Sequence, residues 1–332
     1  MRTTPVPLDS PGQPQNRVRW CAPMTITEVP AAPRFSGPHS ARTLLADAFE
    51  GMERASQRPA QVPEGHISTG FADLDAMTQG LRRGSLVVLA GSTGMGKTAL
   101  ALNLARSISL QGEMAVQICS LDSSPTALLQ RMLASLCSVE VGRIASSRLT
   151  AEEWPRLGDA MAKLSAAPLF FSDQAINTVA SIRAHCQELA AQRSEPLGLV
   201  VIDALQLLCG DPAEQLKELR LLAAELGACV LLTCQSRPSV ELRPGGVPLL
   251  HDLPALEAMQ TYPHVIAMLH REEFWNPDTS CCGEAQLLLV KNSDNPLGTL
   301  RFGFEPGFSR FSEHISAESP ATSIQYLDSL AG

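Results

Sequence analysis

The sequence predicts an α/β protein, with a mostly parallel central sheet, helices on both faces and antiparallel strands at one edge. Three observations carry this. From residue 66 onward, short apolar runs alternate with helix-length segments, the signature of strands joined by crossover helices. The runs are continuously apolar, as strands buried on both faces are. After residue 284 the chain shortens to strands separated by tight turns.

Residues 1–64 stand apart. They hold 10 of the 24 prolines, show no sustained periodicity, and carry a net charge of +1 against −9 for the remainder. Residues 1–38 are expected to be disordered. Residues 41–52 have apolar side chains at helical spacing and are expected to form a short helix, either docked on a neighbouring subunit or loosely attached. The organisation is thus a Pro-rich, largely disordered extension over 1–64, a folded domain over 65–313 and a flexible tail over 314–332. The domain opens with a strand at 85–90, a Gly-rich loop and a helix over 97–110. Further strands are expected at 114–120, 169–172, 199–203, 229–233 and 265–269. Helical patterns over 124–136, 150–164, 178–192 and 213–226 separate them. Strands at 284–290, 299–304 and 308–311 then extend one edge.

The chain of 332 residues is 45% hydrophobic and 18% charged, enough to bury a sizeable core. The N-terminal segment lacks a secretory pattern and the longest apolar runs are strand-length, so a soluble, cytoplasmic protein with no membrane partner is expected. Among nine cysteines, Cys119, Cys229 and Cys234 fall in or beside core strands, where a thiol acts as a small hydrophobe. Cys281 and Cys282 fall in a loop, and no Cys-x-x-Cys or metal-ligand histidine spacing occurs. The net charge of −8 excludes a protein that coats nucleic acid over its whole surface. It leaves room for a narrow local track.

The sharpest motif is Gly91-Ser92-Thr93-Gly94-Met95-Gly96-Lys97-Thr98, which fits G-x-x-x-x-G-K-[ST] at every required position. Its glycines let backbone N–H groups curl inward onto phosphate oxygens, and the following helix adds its positive N-terminal end. Lys97 would reach the β- and γ-phosphates of ATP, and the Thr98 hydroxyl would ligate Mg²⁺. A position between a buried strand and a helix is the context that makes the motif specific.

A carboxylate at a nearby strand end is needed to complete the metal site. The run at 199–202 ends on Asp203, which fits that role. A second strand leads to Asp122, placed to polarise an attacking water, and a third ends on Gln235, placed to sense the γ-phosphate or orient water. Three polar residues at three strand ends define a site at the carboxyl edge of the sheet.

With these motifs placed, residues 67–311 resemble the C-terminal, RecA-like motor domain of the DnaB replicative helicases. The resemblance begins at 68–75 (STGFADLD) and 80–84 (GLRRG), and continues through 130–133 (QRML), 148–157 (RLTAEEWPRL) and 201–207 (VIDALQL). It ends with 271–278 (REEFWNPD) and 298–302 (GTLRF). It implies a RecA-like P-loop fold and a ring-shaped hexamer with ATP between subunits. Single-stranded DNA would thread the ring, and hydrolysis would drive translocation in DNA replication.

The departures are specific. The family usually carries Glu where this chain has Asp122. It places a Lys and an Arg two residues apart to reach a neighbour's ATP; Lys291 keeps the first, and Ser293 stands at the second. The segment after Asp203 is short and lacks the family's basic residues. The next loop keeps Arg237 and Arg243, as DNA contacts or as part of a solvated loop. The Pro-rich extension is expected to stand in place of the family's helical N-terminal domain. Two functions follow: an ATP-dependent helicase, or a catalytically weakened RecA-like ATP-binding protein that regulates a true helicase or joins it in a mixed ring. A recombination or signalling ATPase of the RecA or KaiC kind fits the core motifs alone.

Overall fold

A computed structural model describes residues 62–172, 177–293 and 295–313. The short helix at 41–52, nearly all of the extension and the tail over 314–332 lie outside the described residues.

A two-stranded ribbon, β1 (His66–Ile67) with β2 (Leu81–Arg82), flanks helix α1 (Ala72–Thr78). Then β3 (Leu86–Gly91) leads into α2 (Lys97–Gln111) and β4 (Ala115–Ser120). Helices α3 (Pro125–Cys137), α4 (Val141–Ala145) and α5 (Glu153–Ala166) precede β5 (Leu169–Ser172). The chain continues through α6 (Val179–Gln192), β6 (Leu197–Asp203), α7 (Pro212–Leu226) and β7 (Cys229–Gln235). Helix α8 (Leu256–Thr261), β8 (Val265–His270), β9 (Glu284–Asn292), β10 (Gly298–Glu305) and β11 (Arg310–Glu313) complete it.

Nine strands form one sheet in the order β11-β10-β9-β8-β3-β7-β6-β4-β5. Strands β8 through β5 of that order are parallel, and β9, β10 and β11 are antiparallel. Every residue of β3, β4 and β6 is buried, whereas β9 and β10 alternate. Two apolar cores lie on the two faces. One packs α2, α3 and α5; the other packs α6, α7 and α8.

The helix boundaries have local causes. Ser124 caps α3 by accepting from Ala127 N–H, with Pro125 at the first helical position. Asp211 caps α7 through Ala213 and Glu214 N–H, again ahead of a proline, and Gly227 ends it in the left-handed region. The helix expected from residue 150 starts at Glu153, because Thr150 lies outside it and its N–H binds back to Glu153 Oε2 at 2.8 Å. The last strand starts at Arg310 rather than 308, because Pro306–Phe308 form a 3-10 turn.

Buried Asn103 ties the loop-bearing helix to the antiparallel edge. Its Nδ2 donates to Ala99 O at 2.7 Å and Ser309 O at 2.8 Å, and its Oδ1 accepts from Phe311 N–H at 3.3 Å. Asn103→Ala leaves the last two groups unpaired in the interior and is expected to destabilise the domain by about 2–4 kcal/mol. Urea unfolding of the two proteins checks this.

Candidate nucleotide-binding site

The loop from Gly91 to Thr98 joins β3 to α2. Gly91 has φ 149°, and a Cβ there would meet the Leu269 carbonyl oxygen at 2.6 Å, so only glycine fits beside β8. Gly96 enters the helix at φ 101°. Met95 is fully buried and anchors the loop from below, while Thr93 and Gly94 stay exposed at the tip and Ser92 is buried. Lys97 Nζ donates to the carbonyls of Gly91 at 2.9 Å and Ser92 at 2.8 Å, which holds it folded over the loop. Burial pushes its ammonium below the usual lysine range, against the pull of Cys234 and Asp203.

Asp203 ends β6 and is only 5% exposed. Its Oδ2 accepts from the Thr98 hydroxyl at 3.0 Å, and its Oδ1 accepts from the Thr233 hydroxyl of β7. A buried carboxylate is tolerable when both oxygens are bonded in this way. Thr233 was not singled out in the sequence; a lone hydroxyl inside the apolar run of β7 was the available signal. Gln235, the last residue of β7, is exposed and pairs in register with Gly91. Its N–H bonds Gln206 Oε1 at 3.3 Å, a second residue the sequence did not flag.

Asp122 is exposed, two residues beyond β4, and Leu121 N–H bonds Asp203 O at 2.7 Å. The ends of β4, β6, β7 and β3 therefore bring Asp122, Asp203, Gln235 and the phosphate loop to one edge. Cys234 packs in the core of the opposite sheet face as a thiol, its pKa pushed up to about 12 by burial and opposed by Lys97.

The residues fit a divalent cation and a polyphosphate. Thr98 and Asp203 offer a hydroxyl and a carboxylate as hard oxygen donors, which suits Mg²⁺ held mainly by water and phosphate oxygens. Among the described residues no cluster of three or more His, Cys, Asp or Glu could hold a metal by itself.

A turn at Glu272–Phe274, after β8, grips the loop from the other side. Arg271 pairs with Glu273, donates to Gly94 O at 3.2 Å and lies over the Phe304 ring at 4.7 Å. The next residue, Trp275, packs so tightly on Gly246 that a Cβ at 246 would overlap the indole.

Lys291 does not join this site. It pairs with Ile266 near the start of β8, toward the amino edge of the parallel strands, and its Nζ donates to Gln260 O at 2.6 Å. Burial pushes its pKa down. The Ser293 hydroxyl donates to His264 O at 2.9 Å beside it.

The two arginines expected to face DNA differ. Arg237 is exposed. Arg243 is paired within the loop: Nη1 and Nη2 each donate to Asp252 at 3.0 Å, and Nη1 also donates to Val247 O. Burial pushes the Asp252 carboxyl up, but hydrogen bonds from Arg243, Leu249 N–H and Ser239 outweigh it and hold the carboxyl below its usual range.

Fold and site together define a P-loop nucleotide-binding domain of the RecA-like α/β class. Residues 66–313 match the family described as DnaB-like helicase C terminal domain, and the chain belongs to that family. It is 30% identical over 280 residues to the replicative DNA helicase DnaB of Geobacillus stearothermophilus, covering 81% of this chain and 61% of that protein. It is 28% identical over 300 residues to the replicative DNA helicase DnaC of Bacillus subtilis, covering 87% and 65%. The chain thus spans less than two thirds of these relatives' length. A solved structure of a DnaB-like replicative helicase superposes with a TM-score of 0.74 at 24% identity, over 84% of this chain and 68% of that one. No helix among the described residues is long and apolar enough to cross a membrane.

The Asp252 arrangement makes a signed prediction. A carboxylate depressed in the folded state adds stability above its unfolded pKa of about 3.9, and that stability is lost as pH falls through the lower folded value. The 236–252 segment should therefore stay protected from proteolysis at pH 5 and open only below the usual carboxylate range. Arg243→Ala should expose the segment to proteases at neutral pH and cost about 3 kcal/mol, the low end for breaking a buried pair.

Proposed function

We propose that this chain is an ATP-driven DnaB-type motor that couples hydrolysis to movement along single-stranded DNA in DNA replication. The observation that carries the reading is the Thr98–Asp203–Thr233 hydroxyl–carboxylate chain beside the phosphate loop, with Gln235 in register with Gly91. Lys97, now on the Gly91 and Ser92 carbonyls, would bind the β- and γ-phosphates. Thr98 and Asp203 would hold Mg²⁺, which would supply charge neutralisation at the phosphates. Asp122 polarises the attacking water, and Gln235 orients it or senses the γ-phosphate. Lys291, at the amino edge, serves the nucleotide of a neighbouring subunit in a homo-oligomeric ring. Arg237 contacts the DNA backbone.

Three features favour a second reading, a catalytically weakened member that regulates a true helicase or joins it in a mixed ring. Asp122 is one methylene shorter than the family's Glu. Ser293 replaces the planar fork of an Arg, which lysine does not reproduce. Arg243 is tied to Asp252.

Turnover by the purified chain, with and without single-stranded DNA, separates the two. On the motor reading DNA stimulates turnover and Lys97→Ala abolishes it; ATP binding without turnover selects the regulatory reading. Asp122→Glu is expected to raise turnover, by up to about 100-fold where positioning limits the rate. Thr233→Val removes one hydroxyl from Asp203 and should weaken Mg²⁺-dependent ATP binding by about tenfold, roughly the 1.4 kcal/mol of one bond to a charged group. Calorimetry with and without Mg²⁺ reads it, since binding without the ion should change little.

A further inference from the structure

A cavity of about 140 Å³ lies between the sheet and helices α1 and α2, opening at the amino edge, away from the phosphate loop. Its floor is apolar: Val87 and Leu89 of β3, Leu100 and Leu104 of α2, Ala267 of β8 and Leu287 of β9. Those two α2 leucines lie one and two turns into the helix that begins at Lys97. The small side chain of Ala267, between neighbours with long ones, leaves the space open. A cavity of this size accepts a single six-membered ring, and its apolar floor favours one.

The rim is polar, and the protons of four of its side chains are already spent. The Thr78 hydroxyl donates to Leu74 O at 2.7 Å, Ser85 to Arg82 O at 2.6 Å and Ser293 to His264 O at 2.9 Å. Asn292 Nδ2 donates to Met77 O and Pro296 O, both at 3.0 Å. What these four side chains have left to offer is oxygen lone pairs. Gln79, Asn295, His66, Arg82 and His264 complete the rim; Asn295 Nδ2 donates to Thr78 O at 3.4 Å, and His66, Arg82 and His264 have interactions of their own.

An apolar floor beneath these four acceptors selects a ring carrying a hydrogen-bond donor over a bare ring, and burying a carboxylate over that floor costs its hydration. From this geometry we propose that the cavity is a binding site for a small neutral aromatic molecule with one O–H or N–H donor, of the phenol class. The site is separate from the phosphate loop and does not depend on the proposed motor activity.

Fluorine-detected NMR titration of the full chain with 4-fluorophenol, fluorobenzene and 4-fluorobenzoate tests it. The phenol should bind saturably at one site. Fluorobenzene should bind on the order of three- to tenfold more weakly, the worth of one hydrogen bond. The carboxylate should not compete. Ala267→Leu and, from the opposite wall, Leu104→Phe should each abolish phenol binding while retaining nucleotide binding as proof of folding. No saturable phenol binding, equal binding of the carboxylate or the bare ring, or undiminished binding in either folded variant would overturn the proposal.

Discussion

The buried carboxylate of Asp203 is the constraint on which the rest of the site depends. A charge at the end of a fully buried strand is costly unless its oxygens are bonded. Here both are, by hydroxyls from residues 98 and 233, far apart in sequence. Satisfying that one group fixes the first turn of α2, the end of β6 and the end of β7 relative to each other. The phosphate loop enters α2 one residue before Lys97, so its position is set by the same contact. Gln235 follows two residues after Thr233 and is brought into register with Gly91.

A second buried carboxylate organises the neighbouring segment by the same logic. Asp252 is 1% exposed and gathers Arg243, Ser239 and the Leu249 N–H around itself. This ordered segment is continuous with the phosphate loop by two routes. Ser236 N–H bonds Gly91 O at 3.1 Å, and the turn after β8 touches Gly94 through Arg271 and Gly246 through Trp275. A shift of the loop tip therefore has contacts through which to reach residues 236–252, the segment that carries Arg237.

The phosphate loop, the parallel core and the antiparallel edge were legible in the sequence because each rests on local chemistry. Apolar runs mark β3 and β6, tight turns set off β9 and β10, and helical spacing marks α3 and α7. Asp203 was legible because an acid closing an apolar run is rare. What was not legible depends on residues that meet only in space. The short β1 and β2 pair with each other and are too brief to show periodicity. Helices α1, α4 and α8 are one or two turns long and leave a similarly weak trace. Thr233 and Gln206 look like ordinary polar interruptions until β6 and β7 are set side by side. The pairing of Arg243 was not legible because its partner, Asp252, lies nine residues away across an irregular loop.

Strand polarity sorts the proposed catalytic residues into two groups. Asp122, Asp203, Gln235 and Lys97 gather at the carboxyl edge, where the parallel strands deliver them to one nucleotide. Lys291 and Ser293 lie on or just past an antiparallel strand, paired near the start of β8, so their side chains are set toward the opposite edge. In register Lys291 aligns with Ile266 and through it with Val88, three residues before Gly91, or roughly 10 Å back along the sheet. A lysine held there by Gln260 O cannot turn back onto the phosphates of its own chain. On the proposed reading a single chain is then equipped to bind nucleotide and lacks part of what hydrolysis needs. On that same reading the two departures from the family would act at different levels: Asp122 within the subunit, and Ser293 only where one subunit meets the next.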